Sequence, residues 1–311
     1  MHTKACGFVV AIIFAMTSYV TFDIVGKDNS FPTDFFGTTS IISCGLSFAL
    51  SIAIALLMVM INKRYNLLRN LSVLFATMFI VLQAAIPILS FQLNNGTILC
   101  LLIIISTMIL LGNYGNKQSA SYAVFTIALL IAAGSVFINA YLFFIPVFLL
   151  GCVQMRILNY RTAIAFILGL ITPVWILFGF GIIPIDKYFS WQTPSQLSAF
   201  LIEEYWLRLM ITVGLSIFVC LSMGIFNMLK IYGYNAQTRA INGFISLLSF
   251  STAILCIADF KHISDYLTLL NCCTAYQIGH LFILNFSRRS YIAIISVIAV
   301  YAGIFCWWLW G

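Results

Sequence analysis

The chain has 311 residues, of which 63% are apolar and only 7% carry a charged side chain. A soluble domain has about 25% charged residues, and a disordered chain has low hydrophobicity, so both classes are excluded. The mean hydropathy of +1.09 indicates a polytopic membrane protein. We predict an all-α transmembrane helical bundle that forms a single integral membrane domain over residues 1–311.

Eleven apolar runs are predicted to be membrane spans, because each is bounded by charged residues or by clusters of Gly, Pro and Asn. About twenty residues cross a bilayer core, and most of the runs reach that length. The predicted spans are Cys6–Phe22, Thr39–Ile61, Leu68–Ser90, Thr97–Leu111, Ala120–Ile138, Tyr141–Met155, Thr162–Ile183, Tyr205–Leu229, Ile241–Ala258, Ile263–Phe286 and Tyr291–Trp310. We interpret the first run as an uncleaved helix rather than a signal peptide.

The fifth and sixth runs are separated only by Asn139 and Ala140, so residues 120–155 have three interpretations. They form two tightly connected spans, a re-entrant hairpin or one long broken helix. Lys117 precedes this region and Arg156 follows it. If both flanks are cytoplasmic, the chain crosses an even number of times or dips in and returns. The prediction is therefore about eleven spans, or nine spans plus a re-entrant hairpin.

The distribution of charge predicts the orientation, because basic residues concentrate in cytoplasmic loops. With a cytoplasmic N-terminus, the inner segments hold eleven of the 15 basic residues and none of the 8 acids. These inner basic residues are Lys4, Lys63, Arg64, Arg69, Lys117, Arg156, Arg161, Lys230, Arg239, Arg288 and Arg289. The outer acids are Asp23, Asp28, Asp34, Asp186, Glu203, Glu204, Asp259 and Asp265. We therefore predict an outer C-terminus and attribute the net charge of +7 to topology, not to a nucleic-acid partner.

Residues suited to metal or nucleophilic chemistry are scarce. The nine cysteines have no C-x-x-C spacing, so we interpret them as small packing residues. Phosphate-binding and hydrolase motifs are absent, so we predict no cofactor. Asp259, His262 and Asp265 are spaced three apart before the tenth span. They are candidates for a divalent-metal site or a general base, and a solvated boundary loop is the alternative.

The tenth predicted span contains polar side chains within an apolar run. Asn271, Tyr276, Gln277 and His280 are therefore candidate substrate-binding residues in the wall of a polar cavity. The alternative is interhelical hydrogen bonding, which holds membrane bundles together. No charged residue lies at the centre of a span, which argues against an ion-coupled pump.

Residues from about 110 to 183 contain four short motifs that resemble a family of polytopic inner-membrane proteins of Bacteroidota. The motifs are Ala132-Ala-Gly-Ser-Val-Phe, Leu142-Phe-Phe-Ile-Pro146, Arg156-Ile-Leu-Asn-Tyr-Arg161 and Gly169-Leu-Ile-Thr-Pro173. Thr162 stands where the family pattern has an acid. The resemblance implies a bacterial inner membrane and brings no established activity.

The leading hypothesis is a carrier or assembly partner for a lipid-linked or amphiphilic substrate in the bacterial inner membrane. Its expected partners are the lipid bilayer and either a lipid-linked substrate or other membrane proteins. The enzyme alternative is a lipid-linked-sugar glycosyltransferase, in which Asp23, Asp28 or Asp34 of the first outer loop is the catalytic base. A third hypothesis is a structural membrane subunit. The lack of catalytic motifs favours a protein that is not an enzyme.

Overall fold

The regular structure of this chain is helical wherever the computed structural model describes it. The described residues are 4–25, 41–65, 67, 73–91, 93–116, 120–180, 204–231, 233–284 and 288–310. These ranges contain eleven α-helices of ten residues or more, one short α-helix, two 3₁₀ helices and no strand. The all-α prediction is therefore confirmed for the described part of the chain.

The α-helices follow the predicted apolar runs in order. They are α1 (Lys4–Val25), α2 (Ile41–Tyr65), α3 (Leu74–Ala84), α4 (Pro87–Phe91), α5 (Asn95–Leu111), α6 (Ala120–Phe137), α7 (Ile145–Gln154), α8 (Tyr160–Gly179), α9 (Glu204–Ile231), α10 (Ala236–Ala258), α11 (Ile263–Leu284) and α12 (Arg288–Trp310). The two 3₁₀ helices, Asn139–Phe144 and Phe260–His262, directly precede α7 and α11.

Five helices within the described ranges are long and apolar enough to cross a membrane. Their qualifying stretches are Ile42–Tyr65, Tyr160–Leu177, Trp206–Lys230, Ala236–Ala258 and Ser290–Leu309. Large apolar side chains cover the outside of these helices, for example Trp175, Phe218 and Ile254, which are all more than 60% exposed. An exterior of this kind suits lipid rather than water, so the helices are those of a membrane-embedded protein.

The third predicted span is bent rather than continuous. Helix α3 ends at Ala84, and α4 begins at Pro87. Proline has no backbone N–H and disfavours the helical conformation in the residue before it. At this point the N–H of Ile86 bonds to the carbonyl of Gln83, at 3.4 Å, instead of continuing the i→i−4 pattern. Residues 68–72 of the predicted span lie outside the described part of the chain.

Residues 120–155 form an antiparallel hairpin, not one long broken helix. The ring of Tyr141 packs on Gly134, where an added Cβ would lie 2.8 Å from it. Phe144 reaches Tyr266 in the first turn of α11, with ring centroids 6.1 Å apart. The far end of α7 returns to the C-terminal end of α5, where the N–H of Gly115 donates to the carbonyl of Met155 at 3.1 Å. The hairpin therefore runs the full depth of α5.

Helix α11 lies at the centre of the bundle. It packs against α3, α5, α9, α10 and α12, and every residue from 265 to 280 is buried. We name the two ends of the bundle the Asp265 end and the His280 end, after the first and last turns of this buried stretch. Asn94, before α5, donates to the Ser264 carbonyl at the Asp265 end, at 3.3 Å. Phe282 meets Tyr291 of α12 at the His280 end, with centroids 4.9 Å apart.

The described charged side chains separate between these two ends. Asp259 and Asp265, the two acids whose side chains are described, lie at the Asp265 end, as does Arg208. Six basic residues lie in or beside the last or first turns of helices at the His280 end, namely Lys63, Arg64, Arg156, Arg161, Lys230 and Arg239. The helices thus alternate in direction as the charge pattern requires.

The motif residues that carry the family resemblance have packing roles. Asn159 and Thr162 cap the start of α8 reciprocally, since the Thr162 N–H donates to Asn159 Oδ1 at 2.9 Å and the Asn159 N–H donates to Thr162 Oγ1 at 2.7 Å. Thr162 thus supplies the acceptor oxygen that an acid would supply at this position. Gly169 lets α8 approach α6, because its added Cβ would lie 2.6 Å from the carbonyl oxygen of Phe125.

Candidate functional site

A column of polar side chains occupies every third position of α11. Its members are Asp265, Thr268, Asn271, Thr274, Gln277 and His280, and none is more than 7% exposed. Because an α-helix advances about 100° per residue, a spacing of three rotates the column by about 60° at each step. Successive members therefore face different neighbouring helices.

The half of the column nearer Asp265 bonds directly to α3 and α9, and it is connected to α12 through Ser216 of α9. Gln83 of α3 donates from Nε2 to Thr268 Oγ1 at 3.5 Å. Ser216 of α9 donates to Asn271 Oδ1 at 3.4 Å and shares a 2.6 Å hydrogen bond with the hydroxyl of Tyr301 on α12. These contacts join three helices to α11, as the interhelical interpretation of Asn271 requires.

The half of the column nearer His280 bonds to α9 and α10 through Gln277. Asn227 of α9 donates from Nδ2 to Gln277 Oε1 at 2.7 Å, and Gln277 Nε2 donates to Ser249 of α10 at 3.1 Å. Gln277 therefore has observed structural partners on two helices. Asn271 and Gln277 are part of the framework of the bundle, and their substrate-binding role stays a prediction.

Five buried amide and imidazole atoms along this column have no hydrogen-bond partner among the described residues. They are Gln83 Oε1, Asn227 Oδ1, Asn242 Nδ2, Asn271 Nδ2 and His280 Nδ1. An unpaired polar atom in apolar surroundings costs about 1–3 kcal/mol. Such atoms mark places where water or a bound molecule supplies the missing partner.

Two of these atoms belong to one group of side chains, which we name the His280 cluster. It consists of Tyr234, Arg239, Asn242, Tyr276 and His280. The Tyr276 hydroxyl donates to Asn242 Oδ1, and the Tyr276 ring stacks on His280 with centroids 6.0 Å apart. The Tyr234 ring meets His280 edge-on at 6.4 Å, and the Tyr234 carbonyl accepts from the Arg239 guanidinium at 3.3 Å.

Three parts of the chain supply the cluster. Arg239 and Asn242 are three residues apart on α10 and share a face of that helix. Tyr276 and His280 are four apart on α11, and Tyr234 lies in the turn between α9 and α10. Sequence analysis singled out Tyr276 and His280 but missed the other three members. The spacing of Arg239 and Asn242 was a usable signal, but no pattern in the chain shows that the start of α10 meets the end of α11.

An apolar cavity of about 50 Å³ lies next to the cluster and shares Tyr276 with it. It is lined by α2, α3, α5, α10 and α11, with Met58, Phe75, Ile104 and Cys273 among its walls. Ile245 and Leu248 line it one and two turns further along α10 than Asn242. A polar group of donors is thus followed, deeper in the bundle, by an apolar space.

The Asp265 end contains the trio that was predicted as a weak metal or general-base candidate. The structure divides it into two pairs: Tyr266 donates to Asp259 Oδ2 at 2.8 Å, and His262 Nδ1 lies 3.2 Å from Asp265 Oδ2. No three His, Cys, Asp or Glu side chains come together as a metal site in the described ranges. Asp259 thus accepts a hydrogen bond from Tyr266, and the three predicted side chains do not surround one point.

The candidate catalytic acids of the first outer loop fall largely outside the described residues. Asp23 lies near the C-terminal end of α1, but its side chain is not described. Asp28 and Asp34 lie in the stretch from 26 to 40, which is outside the described part. Their catalytic role stays a prediction.

Comparison with known protein families, with characterised proteins and with solved structures finds no match to this chain.

Proposed function

We propose that this protein is a multi-pass protein of the bacterial inner membrane that acts as carrier or assembly partner for a lipid-linked or amphiphilic substrate. The observation that supports this is the His280 cluster beside the apolar cavity, with Tyr276 common to both. An amphiphile needs a polar subsite for its head group next to an apolar subsite for its chain. The two subsites are adjacent here, and the cavity of about 50 Å³ admits only the first few carbon atoms of such a chain.

The unpaired polar atoms support a carrier more than a rigid scaffold. Each desolvated amide or imidazole atom raises the free energy of the protein unless a partner is supplied. A head group at the His280 cluster would hydrogen-bond to Asn242 and His280. A purely structural bundle would gain stability if apolar residues replaced these atoms.

The proposal includes eleven crossings, with the His280 end in the cytoplasm and the C-terminus outside. It is supported by the separation of charged side chains between the two ends and by the full depth of the 120–155 hairpin. Placement in the inner membrane of a Bacteroidota species rests on the resemblance of residues 110–183.

Labelling from one side of the membrane tests the topology. Native cysteines are replaced, and Asn139→Cys at the hairpin tip is probed with a membrane-impermeant maleimide in intact spheroplasts. We expect labelling of Asn139→Cys without permeabilisation, and of Asn116→Cys at the opposite end only after permeabilisation. Labelling of Asn139→Cys only after permeabilisation would contradict two full crossings in this region.

Transbilayer movement tests the carrier proposal. The full-length protein is reconstituted into liposomes that contain a polyprenyl phosphate with a fluorescent label on its head group, and loss of fluorescence on adding dithionite reports movement. We expect the protein to accelerate this loss over protein-free liposomes. An equal rate in both would refute the carrier.

A matched pair of variants then tests whether the labelled lipid moves through the apolar cavity. Thr107 lines the cavity, and its hydroxyl bonds only within its own helix in the described structure, to the Ile103 carbonyl at 2.8 Å. Thr107→Phe should fill the cavity and abolish the protein-dependent acceleration of fluorescence loss. Ile254→Phe adds an aromatic ring on the outside of α10, where Ile254 is 63% exposed, and should leave the rate unchanged. Full activity of Thr107→Phe would exclude this cavity as the path.

A further inference from the structure

We infer that the His280 cluster binds a phosphate group through Asn242, His280 and Arg239, so that the head group of the substrate is a phosphate ester. This inference rests on the proposed function and names its substrate class. It is carried by the geometry of the cluster, in which two buried nitrogen atoms lack partners and Tyr234 connects His280 to an exposed guanidinium.

The cluster offers an unpartnered amide donor, an imidazole nitrogen without a partner and a cation. Asn242 Oδ1 accepts from Tyr276, which leaves the two protons of Nδ2 for a ligand. His280 Nδ1 is a further donor in the tautomer that carries its proton. A fully ionised phosphate has only acceptor oxygens, so its chemistry matches these groups.

No described carboxylate competes with an anion at this end. Asp259 and Asp265 are at the other end of α11, and the rise from Asp265 to His280 is about 22 Å along the axis. The remaining charged neighbours at the His280 end are basic, namely Lys230 at the end of α9 and Arg156 after α7. A bound phosphate would therefore meet no described negative charge at this end.

The position of Arg239 is a second feature that an anion explains. It is the fourth residue of α10, next to the helix N-terminus, where the exposed N–H groups already make the potential positive. A cation in the first turn is unfavourable by itself. A phosphate at the same place would interact favourably with both the guanidinium and the helix terminus.

Binding of a minimal lipid phosphate tests the inference. The purified full chain in detergent is titrated with dioctanoyl phosphatidic acid and with dioctanoylglycerol, which has the same chains and no phosphate. We expect phosphatidic acid to bind at least about tenfold more tightly. Arg239→Gln and Asn242→Leu should each weaken its binding by about tenfold, the loss typical of one charge-assisted hydrogen bond.

Two control variants separate the cluster from general effects. Arg161→Gln removes an exposed arginine at the same end but outside the cluster, and Thr252→Val removes a buried hydroxyl that bonds within its own helix, to the Leu248 carbonyl. Both should bind as the wild type does. Because Arg239 is exposed, Arg239→Gln should keep the fold, and an unchanged unfolding temperature checks this. Wild-type affinity in folded Arg239→Gln would overturn the inference.

The source of the phosphate is decided by competition. Displacement of phosphatidic acid by millimolar inorganic phosphate would support a site for the free anion, and failure to displace it would support a lipid phosphate. Failure of the inference is distinguishable from failure of the carrier. Transport of the labelled lipid that Arg239→Gln does not alter would refute phosphate binding alone. Arg239-dependent binding without transport would refute the carrier alone.

Discussion

The two ends of α11 are equally buried but differ in how their polar side chains are satisfied. At the Asp265 end, Asp265 pairs with His262, and Asp259 accepts a hydrogen bond from Tyr266. At the His280 end, His280 keeps an unpartnered ring nitrogen, and its neighbour Asn242 keeps an unpartnered amide nitrogen. Burial alone does not distinguish these residues of the two ends, whereas their hydrogen bonds do. Outside α11, the hydroxyl of Tyr141 at the Asp265 end also has no partner among the described residues.

This difference indicates which end is framework and which end is available for binding. A satisfied pair stabilises the fold and leaves nothing for a ligand. Unpaired buried donors destabilise the empty state, so a ligand that supplies their acceptors recovers that free energy on binding. The Asp265 end contains the acids that the sequence offered as a candidate site. Its paired side chains therefore stabilise the fold rather than bind a ligand.

The largest effect should come from closing the gap between α5 and α11 at the Asp265 end. An added Cβ at Gly96 would lie 2.6 Å from the carbonyl oxygen of Asp265, and backbone cannot move aside as a side chain can. Gly96→Ala should lower the free energy of unfolding by about 3 kcal/mol, measured by denaturation in detergent. The control Gly303→Ala, which meets nothing within 4 Å, should be neutral or slightly stabilising. A neutral Gly96→Ala would show that the Asp265 end is loosely packed.

Loss of the tyrosine–carboxylate bond should have the next largest effect. Tyr266→Phe removes the donor to Asp259 without changing the packing of the ring, and should lower the free energy of unfolding by about 2 kcal/mol, as expected for a bond to a charged group. Tyr122→Phe is the matched control, because Tyr122 is 80% exposed. Equal unfolding curves for Tyr266→Phe and wild type would remove the contrast between the two ends.

The amide pair between the two ends should show a smaller coupling. A double-mutant cycle on Asn227→Leu and Gln277→Leu measures how much the 2.7 Å bond between these side chains contributes. We expect a coupling of about 1 kcal/mol, because hydrogen bonds between transmembrane helices are usually weak. Additive effects of the two substitutions would mean that the bond does not hold α9 on α11.

The smallest effect should occur at the His280 end. His280→Phe keeps the stacking on Tyr276 and removes a ring nitrogen that has no partner, so the free energy of unfolding should change by less than about 0.5 kcal/mol or increase. The same variant should lose affinity for phosphatidic acid. A large destabilisation by His280→Phe would place this histidine in the framework and sharply weaken the proposed site.

Much of the fold followed from the sequence because a membrane helix shows itself locally as an apolar run. The predicted run Ile263–Phe286 and the observed α11 (Ile263–Leu284) begin at the same residue. The third run was harder, because its composition does not show that Pro87 splits it into α3 and α4. Residues 120–155 stayed ambiguous for the same reason. Their depth is visible only in contacts such as Phe144 with Tyr266.

The candidate site was half predictable. Tyr276 and His280 attracted attention because polar residues are rare inside apolar runs. Tyr234 and Arg239 did not, because a polar residue beside a turn is ordinary. Arg239 bonds to Tyr234, and Tyr234 meets His280 on a helix some forty residues later in the chain. Asp259, His262 and Asp265 looked like a site because of their spacing. That spacing does not show that Asp259 accepts a hydrogen bond from Tyr266.

By itself, the sequence determined the helical class, the positions of the apolar helices and the sorting of charge between alternate turns. These properties are local, since they depend on the transfer of each segment from water into an apolar environment. The tertiary structure decided that α11 is the central helix, that its two ends differ in hydrogen-bond satisfaction and that Tyr234 and Asn242 meet His280 and Tyr276. Those properties depend on which atoms of different helices meet, and composition and periodicity do not encode that information.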